Sequence, residues 1–569
     1  MSNRRDFIKT SAILSGSLSV AGSRGVFGQA PVLTTQSRPS GYFGVHPFVE
    51  AHPEAVFIMR THVDQKTNTE ACRQVGLNLG RSLFVPMDST GIPVTHNIAT
   101  KPNLTGHDSY NAKLGITPLN TMGIVTDAFF VEGLFNSLTE LGVANSKFHI
   151  RDANGAKVVG PCRYVDMGKR TGATVLPTKD AIRTPADADD AGTFVWKDVP
   201  NGVVAQKLPY LWPLNAPDAW NLNVAKFKAH EMGLTLTSKN WQGAAAPPFQ
   251  AYCSNLKGID MLEKYQSVIG KQYLNPQVKE LIAANFKRHL KTVPRWNTPD
   301  FPQLPKGQNN DQAFYNNMCM EVWAHRTIDT HSASPIGLHI IEGIYGRDGD
   351  FSNGPNPYGN ENNMSGQAWD YMTNIVVFGK NNYLVDIVGH WLGGHNPGNM
   401  GLFHIAMERG QLNVMDPMNI PVYEWVDGVA VRRPLTGFTR TPLRTFYLQQ
   451  EKREDKWHLV DEPFDYSKVK EAKLNIPAKP GTRLLNQHYP NASNPQVAIE
   501  IGVPETGPVY MGILDQNGQE VEVILDQICE AGYHMAAWDT SKYASGNYKY
   551  RLFYNYKYHE VQDLVLNKA

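Results

Sequence analysis

This chain of 569 residues lacks two features that would narrow its function at once: clustered cysteines and a surplus of charge. Its five cysteines, Cys72, Cys162, Cys253, Cys319 and Cys529, stand far apart and form no C-x-x-C pair. No iron–sulfur cluster or zinc ribbon is therefore expected. The odd count leaves at least one thiol without an intramolecular partner, and no disulfide framework is predicted. Lysine and arginine number 54 against 53 acidic residues, a formal net charge of +1. That balance argues against wholesale binding to nucleic acid or an anionic membrane. No apolar run is long enough to span a bilayer. The nucleophile elbow G-x-S-x-G and the zinc motif H-E-x-x-H are also missing. What remains is an ordinary globular balance, 41% hydrophobic and 19% charged, with 48 glycines and 37 prolines that favour long loops.

The amino terminus carries an address. Adjacent Arg4 and Arg5, followed by Phe7, Ile8 and Lys9, resemble the twin-arginine export signal. A weak apolar segment, Ser11–Gly22, leads to small residues at Gly28 and Ala30, which suit cleavage after Ala30. Residues 1–30 are read as a twin-arginine signal peptide. The mature protein is then expected in the periplasm or secreted, and this route permits a cofactor without requiring one.

Beyond the leader, strand and helix patterns alternate. Ala55–Met59 and Lys147–Ile150 read as strands; Thr67–Arg81 and Thr126–Leu141 carry apolar residues at helical spacing. Ser82–Val85 reads as a further strand, and Ala173–Val204 as an inserted polar loop. Later come helices at Gln277–Leu290 and Asp311–Thr330, strands at Gly337–Gly343 and Asn374–Phe378, and a helix over Tyr383–Leu392. This pattern predicts an α/β main domain, 42–412, with a largely parallel or mixed sheet. Residues 413–490 read as a connector. From 491 to 569, short alternating strands with turns about every ten residues predict a small all-β sandwich.

The main domain is organised around Ala225–Gly243. Ala225, Phe227 and Ala229 alternate with Lys226, Lys228 and His230, the period of a strand. Lys239 and Asn240 follow, and Gly243 allows close backbone approach or an unusual turn. Ammonium groups crowded on one strand face repel unless an anion joins them. Two readings fit: a pocket wall for a carboxylate, phosphate or sulfate, or an edge strand whose lysines guard against aggregation. Elsewhere, Pro102 would hold Lys101 on a rigid extended turn, and Asp386 with Glu342 would serve either as paired acids or as caps of backbone groups. His390 with His395, and His325 with Asp329 and His331, have spacings suggestive of metal ligation but no motif.

Several phrases occur in one order: Lys101-Pro102-Asn103-Leu104, Asp152-Ala153-Asn154-Gly155, Lys226-Phe227-Lys228-Ala229-His230, Thr235 to Asn240, Ile341-Glu342-Gly343-Ile344, and Val385-Asp386. The order resembles the family called domain of unknown function 362. It departs from the family in Ala229 for threonine, in Glu342 for aspartate, in Asp348 or Asp350 where the glycine loop has glutamate, and in lacking cysteine clusters. In the sandwich, Gly532–Asp539 and Ser545–Leu552 resemble the immunoglobulin-like domain of flagellar hook-capping proteins, with Trp538 and Tyr548 as core residues.

The resulting expectation is an exported enzyme acting on a small anionic substrate, whether hydrolase, lyase or oxidoreductase. His230, Lys239 and Asp386 would be catalytic; Lys101, Asn103, Asp152, Lys228, Asn240 and Glu342 would bind substrate. No metal ligand is assigned, and the cofactor is left unknown. The alternative is a non-catalytic periplasmic ligand-binding or interaction protein with the same pocket. A protein partner would dock through the sandwich.

Overall fold

The computed structural model describes residues 41–104, 122–153, 159–176, 179, 181–190, 192–230, 233–247, 249, 273–294, 296, 311–348, 370–443, 445, 462–470, 485–490, 496–556 and 558–566. The leader, Asn154, Gly155 and the glycine-rich stretch from Gly349 to Gly359 lie outside these residues. Contacts divide the chain into two units, with Ser40–Ile476 in one and Pro477–Ala569 in the other.

The larger unit is built on one ten-stranded sheet. Its strands are β1 (Val56–Arg60), β2 (Asn97–Pro102), β3 (Phe148–Ile150), β4 (Thr174–Val175), β5 (Ala219–His230), β6 (Gly233–Thr235), β7 (Ile336–Arg347), β8 (Asp370–Gly379), β9 (Val422–Val426) and β10 (Val429–Arg432). They lie in the order β10-β9-β1-β8-β7-β5-β2-β3-β4, with β6 folded back onto β5. Neighbours from β7 through β5, β2 and β3 to β4 run parallel, as do β9 and β1. The remaining pairs are antiparallel. The main unit is therefore α/β with a mixed sheet.

β5 is buried from Trp220 to His230. It is hydrogen-bonded on both sides, to β2 and to β7, so the edge-strand reading does not hold. Its alternation separates two covered faces rather than inside from outside. Phe227 and Ala229 pack into one core with α4 (Val278–His289), α5 (Asp311–Ser332), α6 (Asn382–Leu392) and α7 (Gly401–Glu408), through residues such as Phe286, Trp323, Val388 and Phe403. A five-residue helix, α3 (Thr237–Trp241), follows β6 directly.

The Lys226 side meets α1 (Thr69–Leu83) and α2 (Ala128–Glu140). Asn68 caps α1 by accepting from the Ala71 amide. Asp127 caps α2 by accepting from the Phe129 and Phe130 amides at 2.8 and 3.1 Å. The two helices touch through glycines. A Cβ on Gly76 would lie 2.0 Å from the Phe130 carbonyl oxygen, and one on Gly133 would lie 2.1 Å from that of Arg73.

Three expectations are corrected. Residues 173–204 are not simply a surface loop. They contain β4 and the strand Phe194–Asp198, which pairs with Lys207–Leu211. Ile182, Phe194, Tyr210 and Leu211 form a second core there with Trp241. Nor is 413–490 a connector: β9 and β10 extend the main sheet, and Leu485–Pro490 belongs to the second unit. Their short β-branched pattern was masked by the charged sequence that follows. Ser82–Val85, read as a strand, is also split: Ser82 and Leu83 end α1, and Phe84–Met87 pairs with Tyr42–Val45 off the main sheet.

The second unit holds two antiparallel sheets. One joins β11 (Leu485–Pro490), β12 (Gln496–Val503) and β15 (Gly532–Asp539); the other joins β14 (Glu520–Cys529), β13 (Gly507–Leu514), β16 (Gly546–Tyr554) and β17 (Tyr558–Leu566). Both contribute to one core, with Ile499 and Trp538 from the first and Met511 and Leu552 from the second. Tyr548 is half-buried and stacks edge-on to Trp538, with ring centroids 5.0 Å apart. Between β13 and β14, Asp515 accepts from the Asn517 and Gln519 amides, and Gly518 takes a φ of +78°. Cys72, Cys162 and Cys529 are buried thiols that form no disulfide. Burial pushes all three upward in pKa, Cys162 to about 12.

In an exposed helix, glycine to alanine stabilises by about 1 kcal/mol. Gly76→Ala should do the reverse, destabilising by roughly 1–3 kcal/mol because the obstructing atoms are backbone. The urea midpoint of the variant against the parent measures the sign.

Candidate functional site

Three parallel strands deliver polar side chains at their carboxyl ends, where ligands gather in such sheets. β5 supplies Asn223, which stands opposite Lys101 of β2, and Lys226, which stands opposite Glu342 of β7. Strand alternation puts Asn223 and Lys226 on opposite faces. Two separate polar clusters result.

On the α3 side, Lys101 is buried. Its ammonium donates to Asp152 Oδ2 at 2.5 Å, to the Pro102 carbonyl at 2.8 Å and to Asn240 Oδ1 at 3.0 Å. Asn240 in turn donates to the Lys101 carbonyl at 2.9 Å and to Asn223 Oδ1 at 2.8 Å. Asn103 donates to Asn240 at 3.3 Å. Gly243 closes the cluster: a Cβ there would lie 2.7 Å from Lys101 Cε. Burial lowers the Lys101 pKa, Asp152 raises it, and nearby Lys239 lowers it further. Lys101, Asn103, Asp152 and Asn240, singled out as substrate binders, do meet. However, an ammonium has three protons, and the chain's own acceptors take all three. Lys101 and Asp152 here fix strand ends to α3 rather than await a guest.

On the α2 side, Lys226 pairs with Glu342 at 2.7 Å, both fully buried. The ammonium also lies 3.5 Å from the centre of the Tyr345 ring. The Tyr345 hydroxyl donates to Asp127 Oδ2 at 2.7 Å, and Glu342 accepts the amides of Asp127 and Ile344. Burial raises the Glu342 pKa, Lys226 opposes this, and Asp127 adds to it. Asp127 and Tyr345 escaped sequence reading, since a cap and a strand tyrosine carry no motif.

Glu342 and Asp386 are not paired acids. Asp386 sits on α6 and accepts the Thr237 amide at 2.7 Å, the Thr237 hydroxyl at 2.6 Å and the Ser238 amide at 2.8 Å. It thus caps α3, the backbone-cap alternative, and its partners share no residue with those of Glu342. Burial, outweighing these bonds, raises its carboxyl to about 6.

A small pocket opens beside α3. Its lining is Lys239, Asp386 and His390 with Leu234, Trp323, Met400, Leu402 and Phe403. His390 Nδ1 donates to the Asp386 carbonyl at 2.8 Å, which leaves Nε2 with its lone pair. A Cβ on Gly233 would lie 3.3 Å from that Nε2. Burial lowers the His390 pKa to about 3, so the ring is neutral.

Lys239 and Asp386 of the expected catalytic set line this pocket. His230 does not. It lies buried opposite Gly233, and its carbonyl accepts the Thr445 hydroxyl. Lys228 is buried on β5 opposite Thr235 and Arg347. The single expected pocket is therefore divided, because a strand buried on both faces sends alternate residues to different compartments.

The weaker histidine sets also resolve. His395 Nε2 donates to the Leu443 carbonyl at 2.6 Å. Asp329 accepts the amides of Val203, Val204 and Ala205, and His331 bonds the Ser238 carbonyl. None of these joins a metal-ligand group among the described residues; His325 does, with other partners taken up below.

No protein-family model matches the chain, and no curated protein matches it.

Two outcomes follow from these contacts. Asp152→Asn leaves the buried Lys101 ammonium without its carboxylate, and chemical denaturation should show a loss of roughly 3–5 kcal/mol. Asp386 has a folded pKa above its ordinary 3.8. Its contribution is therefore whole below pH about 4 and is lost as pH rises through about 6, a cost of about 3 kcal/mol. Asp386→Asn should remove that slope: the stability difference between parent and variant should change between pH 4 and 7 and be flat above.

Proposed function

We propose that this chain is an exported enzyme whose substrate is a small molecule with an anionic group, carboxylate, phosphate or sulfate, on an apolar body. The observation that carries this reading is the pocket at α3, where Lys239, His390 and Asp386 meet five apolar side chains. Apolar walls with a few convergent polar groups are the composition of small-molecule sites; the cavity itself is about 10 Å3, room for one water, so a substrate would enter only as its walls move apart. Lys239 would hold the anion. His390 Nε2, neutral and held in one tautomer by the Asp386 carbonyl, would take a proton from the substrate. Asp386 would position both, through the α3 amides on its side chain and the His390 ring on its carbonyl. The clusters around Lys101 and Lys226 would hold the strands that carry this pocket.

A second reading is a non-catalytic binding protein. The commitment of both Asp386 oxygens to α3 favours it, since that carboxylate then turns no group over. In either reading the export signal of residues 1–30 and the motif order shared with domain of unknown function 362 are part of the proposal. So is an immunoglobulin-like role for the second unit as an accessory module. Exposed Val523, Ile528 and Val565 on its outer strands would contact a protein partner.

A thermal-shift screen of small carboxylates, phosphates and sulfates tests this. A compound that raises the melting temperature of the parent should do so far less with Lys239→Ala. His390→Gln should keep the shift and abolish turnover of the same compound if the protein is an enzyme. Equal stabilisation of parent and Lys239→Ala removes the pocket from the proposal.

A further inference from the structure

A different cluster, away from these strands, gathers metal-binding side chains. Glu321 and His325 stand one turn apart on α5, at the spacing that puts two side chains on one helix face. His289 ends α4 and reaches the same point. His289 Nδ1 lies 2.8 and 2.9 Å from the two Glu321 oxygens, and His325 Nε2 lies 2.9 Å from Oε1. The three side chains are 0–2% exposed. One ligand atom from each lies within 4.8 Å of the others. The two imidazole planes are 22° apart with centroids at 6.4 Å, so they flank the carboxylate like jaws.

We propose that His289, Glu321 and His325 form a binding site for a divalent first-row transition metal, with Zn2+ the representative ion.

Two imidazoles and a carboxylate suit such ions, and three protein ligands leave a fourth position for water. Bonds of about 2.0–2.1 Å in a tetrahedron set ligand atoms about 3.3 Å apart. Small side-chain rotations open the present N–O contacts to that spacing. The contacts around Glu321 and His289, though not those of His325, match what orients metal ligands elsewhere. Trp296 Nε1 donates to Glu321 Oε2 at 2.8 Å. Glu408 accepts from the outer nitrogen of His289 at 2.9 Å, a carboxylate–histidine–metal arrangement. Arg288 grips both Glu408 oxygens at 2.6 Å. Glu408 is 42% exposed, so solvent lies one side chain away.

Without metal, protons fill the ion's place. Burial lowers the His289 pKa, but Glu321 and Glu408 outweigh it and raise the value overall. Burial raises that of Glu321, but the two histidines outweigh it and hold the carboxyl at about 2. Metal entry would remove the Nδ1 proton of His289 to solvent while Nε2–H stays on Glu408. The His325 proton would move to Nδ1, an atom with no hydrogen-bond partner among the described residues. Binding should therefore release protons.

The test uses tag-free full chain, stripped with chelator and dialysed against Zn2+. About one ion per chain should remain by elemental analysis, with release of protons and a rise in melting temperature. Co2+ should give the intense visible bands of a tetrahedral site. Glu321→Gln and His325→Gln should each lower affinity at least tenfold, and Trp296→Phe, which removes the outer hydrogen bond along with part of a buried ring, by 10–100-fold. Circular dichroism checks that each variant is folded; if one is not, the Co2+ spectrum of the parent decides. No retained ion in the parent, or equal uptake by folded variants, overturns the site and leaves a hydrogen-bonded carboxylate network. Neither result touches the α3 pocket, whose readout is Lys239→Ala.

Discussion

The larger unit depends on two ammonium groups placed inside its sheet, each answered by a carboxylate from a neighbouring segment. Lys101 meets Asp152, and Lys226 meets Glu342, with side chains at most 4% exposed. Taking such ions out of water costs several kcal/mol apiece, and only close geometry with further hydrogen bonds offsets it. Here both are present: Asn240 and the Pro102 carbonyl complete one pair, Tyr345 and two backbone amides the other. On β5, Lys226 is tied to Glu342 of β7 and Asn223 accepts from Asn240, so these contacts select one register of that strand against its neighbours. A slip by one residue would exchange its faces and strand Lys226.

This arrangement changes the meaning of the lysine-rich stretch. Crowded cations suggested an external anion, yet for Lys101 and Lys226 the anions come from the chain itself. The proposed ligand would meet the end of α3, where Lys239 is half-buried beside a small, mostly apolar pocket. A five-residue helix has little stability of its own. Asp386 holds its first amides, and the Lys101–Asn240 bond holds its far end.

Much of the scaffold was legible in the sequence, since strand and helix periods report burial directly. The helices at 69–83, 128–140 and 382–392 fall within a few residues of their patterns. Gly243 was half legible: a glycine there allowed either close approach or an unusual turn, and the neighbour it approaches, Lys101, comes from a distant strand. The division of the site was not. Alternation along β5 shows that two faces exist, but not that both are covered. His390 was weighed only against His395, whereas its partner is the carbonyl one turn back. The Glu321, His325 and His289 group spans two helices separated by a proline-rich stretch of sequence, and spacing along the chain cannot bring them together. Only Glu321 and His325, one turn apart, left a trace.

The thiols of Cys72, Cys162 and Cys529 carry a consequence for durability. Oxidants attack the thiolate, and they need a path to it. Each of these sulfurs is enclosed and held in its protonated form. All three are thus shielded from peroxide and from scrambling with foreign disulfides, and would tolerate an oxidising milieu without any crosslink to protect them.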